Sequence, residues 1–128
     1  MIDVARGSFE IELRPGPPEL DGAVTRYDFD KRFTGDLDGT ADGFMIAAGD
    51  PASGSAGYVA IEVVTARLAG RDGTFALQQL GQMHDGNQEL RYEIVNGSGG
   101  GGLAGIHGRL DLTVTDGEHR YELVYDLP

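Results

Sequence analysis

The chain has 128 residues, with 21 acidic and 10 basic side chains, 21 glycines and no cysteine or tryptophan. That length suits one domain, 1–128, and 40% hydrophobic residues supply one core, too many for a disordered acidic tail. The missing cysteines exclude disulfides, thiolate nucleophiles, iron–sulfur clusters and Cys-based zinc sites, while a formal charge of −11 argues against nucleic acid and membrane as partners.

The chain starts Met1-Ile2-Asp3-Val4-Ala5-Arg6, without the basic start and apolar stretch of a secretory signal. No apolar run nears the roughly 20 residues that cross a bilayer, so the expectation is a soluble, cytoplasmic protein. Strands are predicted near 3–13, 23–34, 36–48, 57–69, 73–83, 89–96, 103–114 and 118–127. In the first, Phe9, Ile11 and Leu13 alternate with Ser8, Glu10 and Glu12. In the second, Thr25, Tyr27, Phe29, Lys31 and Phe33 alternate with Val24, Arg26, Asp28, Asp30 and Arg32. The segment from Tyr58 to Leu68 is rich in β-branched residues and apolar on both sides, which favours strand over helix. In the last, His119, Tyr121, Leu123, Tyr125 and Leu127 alternate with Arg120, Glu122, Val124 and Asp126.

Asp-Gly at 21–22, 38–39, 42–43, 72–73, 85–86 and 116–117, and Asn-Gly at 96–97, are read as the hairpin corners. Eight strands joined sequentially by short turns predict an all-β fold, a single closed antiparallel up-and-down barrel, with a β-sandwich as the alternative. The run 97–102, Gly-Ser-Gly-Gly-Gly-Gly, is expected to be a flexible loop between two strands.

Motifs of known chemistry fail on context. Gly97, Gly99 and Gly102 match the dinucleotide spacing, but Leu103-Ala104-Gly105-Ile106-His107 reads as strand rather than a helix start. No Gly-Lys pair exists for a Walker loop, and Lys31 is the only lysine. Asp36, Asp38, Thr40 and Asp42 suggest a calcium loop, yet Ala41 and Ala47 stand where glycine and glutamate belong. Asp-Gly-Thr at 38–40 and 72–74 inverts the aspartic-protease order, and Ser98 lacks the strand-turn-helix elbow of a nucleophile. His84 falls in a turn; His107 and His119 lie on consecutive strands that could bring them together, but no third ligand completes a zinc site. No cofactor and no metal are expected.

Glu62 stands apart. It interrupts Tyr58-Val59-Ala60-Ile61-Glu62-Val63-Val64, and a carboxylate there either faces outward on a half-exposed strand or needs a partner or a wet cavity. An inward Glu62 would share the lumen with Tyr58 and with Gln79 of the adjacent strand. His119, Tyr121 and Tyr125 would add polar handles to an apolar wall, the usual make-up of a small-molecule pocket.

Four blocks in series carry a resemblance over nearly the whole chain: Phe33-Thr34-Gly35-Asp36-Leu37-Asp38-Gly39, Tyr58-Val59-Ala60-Ile61-Glu62, Gly70-Arg71-Asp72-Gly73-Thr74-Phe75-Ala76-Leu77-Gln78-Gln79, and the glycine run through Gly108. Together they resemble an uncharacterised bacterial family of small domains of unknown function, related in fold to the allene oxide cyclase barrel. That family often has His at the position of Gln79. The resemblance implies a closed eight-stranded barrel. Allene oxide cyclases bind a fatty-acid epoxide in the barrel with a carboxylate and ordered water, but no catalytic motif of theirs matches here residue by residue.

Three functional expectations follow. The first is a small apolar or amphipathic ligand in the lumen, held by Glu62, Tyr58, Gln79, His119, Tyr121 and Tyr125. The second is an enzyme, either an isomerase or cyclase, or a carboxylate-dependent hydrolase of aspartic-peptidase type using Glu62, Asp36 and Asp72. The third is a homo-oligomer joined through outward apolar residues such as Val59, Ile61 and Val63.

Overall fold

The computed structural model describes residues 1–128. Its strands are β1 (Ile2–Glu19), β2 (Val24–Gly35), β3 (Leu37–Asp50), β4 (Ser55–Leu68), β5 (Arg71–His84), β6 (Asn87–Ile94), a two-residue β7 (Gly100–Gly101), β8 (His107–Thr115) and β9 (Glu118–Asp126). Each of β1 to β5 pairs antiparallel with the next, β6 pairs with β8, β8 with β9, and β9 returns to β1. The result is a closed eight-stranded antiparallel barrel, with β7 attached only to Gly73 and Thr74 at the start of β5.

Only some Asp-Gly pairs are corners. Asp21-Gly22, Asp85-Gly86 and Asp116-Gly117 have positive φ at both residues, as tight hairpins require. Asp38-Gly39, Asp42-Gly43 and Asp72-Gly73 instead lie inside β3 and β5, which corrects their reading as turns. Gly43 shows why glycine is needed in a strand: it faces Glu62, and a Cβ there would stand 2.7 Å from the Cβ of Glu62.

Two segments depart from the predicted boundaries. β1 runs on through residues 15–18, with its register shifting between Pro15 and Pro18. These prolines are tolerated because β9 pairs with β1 only as far as Phe9, leaving that edge free. The strand predicted from 103 begins only at His107, because Leu103 and Ile106 turn inward and close one end of the barrel at 0% and 1% exposure. The glycine run before them is tied down rather than loose. Ser98 Oγ accepts from Ala76 N at 2.9 Å and donates to Val95 O at 2.6 Å, and Gly102 N donates to Asp72 O at 2.7 Å.

Strand alternation sorts the interior into two halves. The half plugged by Leu103 and Ile106, the lower half, is filled by Phe33, Leu37, Val64, Leu68, Phe75, Leu77 and Leu123, all 1% exposed or less. Burying a side chain of this kind stabilises the fold by about 1.5–3 kcal/mol. The upper half presents smaller or unbranched inward residues, among them Met45, Ala47, Ala56, Gly81 and Met83, and leaves a cavity.

Closure is uneven around the wall. β8 and β9 are paired at nine positions, whereas β6 and β8 meet at one, Glu93 with Arg109. Above that bridge the two strands separate, and Leu90 and Leu112, one from each, line the upper cavity.

Candidate functional site

A polar cluster sits at the junction of the two halves. Burial resolves the orientation of Glu62: it points inward from β4, 1% exposed. Lys31 reaches it from β2, with Nζ donating to Glu62 Oε1 at 2.9 Å and to the Tyr92 hydroxyl at 2.7 Å. The Tyr92 hydroxyl, from β6, donates to the same Glu62 Oε1 in a short hydrogen bond. Gln79 Nε2, from β5, approaches that oxygen at 3.4 Å, and Tyr58 donates to Gln79 Oε1 at 2.8 Å. Four strands thus converge on one carboxylate oxygen, while the other, Oε2, has no hydrogen-bond partner in the protein.

The setting of Lys31 explains how an ammonium is kept in an apolar barrel. Its Nζ lies 4.6 Å from the ring centre of Phe9, 5.1 Å from that of Phe29 and 5.2 Å from that of Tyr92. Aromatic faces stabilise a desolvated cation, and the Glu62 charge does the rest. Burial still lowers the Lys31 pKa, opposed by its attraction to Glu62 and the hydrogen bond between them. The Tyr92 phenol is held well above its usual range, by burial first and by the Glu62 charge second. Tyr58 is raised for the same two reasons.

Above the cluster lies a cavity of about 360 Å³, whose walls include Tyr27, Met45, Ala47, Met83, Leu90 and Leu112. Tyr58 is the predicted ligand residue that borders it. The Tyr58 ring lies across Gly81, directly opposite on β5, where a Cβ would come within 2.7 Å of the ring carbon bearing the hydroxyl. Glycine at 81 therefore lets Tyr58 lie flat against the wall with its hydroxyl turned to Gln79.

Of the predicted lumen residues, the structure brings Glu62, Gln79 and Tyr58 into one hydrogen-bonded chain. His119, Tyr121 and Tyr125 also face inward from β9 but do not join it. His119 stacks on Phe9 with ring centres 5.0 Å apart. Tyr121 ties the lower rim: its hydroxyl accepts from Leu37 N at 3.0 Å and lies 2.8 Å from the Thr34 carbonyl. Tyr125 is buried, and that burial, followed by the charges of Asp3 and Asp36, raises its pKa. The proximity expected for His107 and His119 does not occur, because they pair with Asp126 and Val114 at opposite ends of the β8–β9 hairpin. Asp36 and Asp72 are exposed, Asp36 accepting from Arg6 N and Asp72 pairing with Arg67, so neither forms a carboxylate pair with Glu62.

Lys31 and Tyr92 are functional candidates that sequence reading missed. The signal was there for Lys31: it shares a strand face with Tyr27, Phe29 and Phe33, and an inward Glu62 requires a counter-charge. Tyr92 shared its face with Leu90 and Ile94 and carried no mark beyond that.

This arrangement, a barrel of this length and strand order, can be set against known proteins. A family model described as a protein of unknown function, DUF3224, matches residues 5–125. The chain belongs to the DUF3224 family. A crystal structure of a DUF3224 protein of unknown function from Shewanella oneidensis MR-1, at 1.84 Å resolution, is similar to it at 37% sequence identity. The likeness covers 100% of this chain and 98% of that one with a TM-score of 0.92, so this DUF3224 chain shares its whole fold with that relative. No curated protein matches the sequence.

Proposed function

We propose that this DUF3224 barrel binds a small apolar or amphipathic molecule in the upper half of its lumen. The observation that carries the reading is the cavity of about 360 Å³ above Tyr58. Its volume lies within the range of small-molecule sites, and its lining combines apolar residues with a few polar ones, among them Thr25, Tyr58 and Gln88. The contrast with the tightly filled lower half supports it, since Ala47, Ala56 and Gly81 stand on the upper wall whereas Phe33, Phe75 and Leu123 fill the lower half. Native mass spectrometry of the purified protein tests the reading, together with titration of octanol against the wild type and the cavity-filling variant Ala47→Phe. Retention of a small molecule, or octanol binding that Ala47→Phe abolishes, is expected. An empty protein that binds no alkyl probe overturns it.

A separate observation favours a second reading, self-association. On the outer wall, Phe44, Val59, Ile61 and Leu80 are each 36–53% exposed and face only one another, Ile46 and Gln78 on β3, β4 and β5, with the charge of Asp42 entering only opposite Val63 at the edge of the patch. In a chain of formal charge −11, this is the face on which a second copy can approach without charge repulsion. Sedimentation analysis is expected to give a dimer that Ile61→Lys converts to a monomer. A wild type that is monomeric at all concentrations overturns this reading.

A further inference from the structure

We propose that the lumen's occupant ends in a neutral hydroxyl and that Glu62 Oε2 accepts its hydrogen bond, a conclusion that rests on the lumen-binding reading above. The hydrogen-bonding groups of the cluster leave one buried oxygen over. Lys31 has three N–H donors and no acceptor; two go to Glu62 and Tyr92, and the ammonium is packed against the Phe9 and Phe29 rings. The Tyr92 proton goes to Glu62 Oε1. That oxygen also receives Lys31 and Gln79, so three donors crowd onto it. Glu62 Oε2 is the one buried side-chain nitrogen or oxygen in the protein with no partner. The one buried polar side-chain atom wholly without a partner is therefore an acceptor, and a buried acceptor left unmatched is unfavourable.

Charge then narrows the donor. A carboxylate head would set a second negative charge beside Glu62, whose only cation, Lys31, is already engaged. An ammonium head would leave the interior with an uncompensated positive charge and would have to shed its own water. A hydroxyl donates without changing the charge of the cluster. Glu62 does not itself line the cavity; Tyr58 and Met45 do, and Met45, unbranched, faces Ala60, the only inward residue of β4 between Tyr58 and Glu62. The barrier is the Tyr58–Gln79 hydrogen bond, which the arriving head group displaces.

Three probes of equal chain length decide the matter: octanol, methyl octyl ether and octanoate, titrated against the wild type with the side-chain carboxyl of Glu62 followed by carbon-13 NMR. Octanol is expected to bind about tenfold or more tightly than the ether, as a hydrogen bond to a charged group implies, and more tightly than octanoate. Octanol alone is expected to shift the Glu62 carboxyl signal. The double variant Lys31→Met/Glu62→Leu, which keeps the interior uncharged, is expected to bind octanol and ether equally; should it fail to fold, the wild-type comparison and the NMR signal decide alone. Equal wild-type affinity for octanol and ether, tighter octanoate, or an unmoved carboxyl signal overturns the hydroxyl assignment while leaving lumen binding intact. Failure of all three probes to bind overturns the lumen reading and this inference together.

Discussion

Lys31 and Glu62 are 31 positions apart in the chain, yet their charged atoms meet at 2.9 Å with both side chains at most 3% exposed. Removing one partner of such a pair strands the other as a bare charge in a medium that solvates it poorly. Lys31→Met and Glu62→Leu should each cost about 3–5 kcal/mol. The double variant should lose much less than the sum, because it leaves no charge behind. Urea unfolding followed by circular dichroism measures all three, and strictly additive losses would show that the two residues do not act as a pair.

Gly81 and Tyr58 make a similar unit from shape instead of charge. Gly81→Ala places a methyl group against the Tyr58 ring and should cost about 1–3 kcal/mol by overpacking. In a Tyr58→Ala background the same substitution should be close to neutral. Equal costs in both backgrounds would place the strain elsewhere on β5.

The buried phenols predict how the protein responds to alkali. Tyr58, Tyr92, Tyr121 and Tyr125 all have folded pKa values raised above the ordinary 10.0, chiefly by burial. Their folded forms hold protons that the unfolded chain has released, so this stability is intact below pH 10.0 and lost as pH rises beyond it. Lys31 works the other way: its pKa is lowered, so the unfolded chain holds the extra proton and stability rises as pH climbs toward 10.5. With four phenols against one amine, the net expectation is unfolding above pH 10.0, with tyrosinate absorbance and loss of strand signal in one transition. Tyr92→Phe should soften that transition, and phenolate formation well before unfolding would count against a sealed Tyr92.

The single bridge between β6 and β8 predicts a pattern of amide exchange. In an antiparallel strand alternate N–H groups point to opposite neighbours, so every second amide in 87–92 and in 110–115 faces the gap. Those amides should exchange much faster than their immediate neighbours, which are held by β5 and β9. Uniform protection along both strands would mean that the seam is closed in solution.

Much of the architecture was legible because alternation is a local property. The face of Phe29, Lys31 and Phe33 could be read without knowing what lay opposite. The Asp-Gly pairs misled because glycine serves two needs: at Gly22 it supplies a positive φ, whereas at Gly43 it makes room for Glu62 across the sheet, and the two cannot be told apart from neighbours in sequence. Glu62 was conspicuous as a carboxylate in an apolar strand. Its partner was hidden because Lys31 sits among Asp28, Asp30 and Arg32, which face outward, so the stretch reads as a charged surface. Tyr121 was expected to serve a ligand, but its hydroxyl instead ties the backbone at Thr34 and Leu37, a contact that exists only once β2, β3 and β9 are curled into a ring.

The pairing of β1 with β9 sets a timetable as well as a shape. Ile2 lies opposite Asp126 and Phe9 opposite His119, so β1 waits for a strand made more than a hundred positions later. A nascent chain on the ribosome can form the β2–β3 and β4–β5 hairpins early, but it carries one edge of β1 unpaired until β9 has cleared the exit tunnel. During that interval the free edge can recruit strands from other chains. The acidic and proline residues that line β1, from Asp3 through Glu10 and Glu12 to Pro18, suit a strand that has to remain single during its own synthesis.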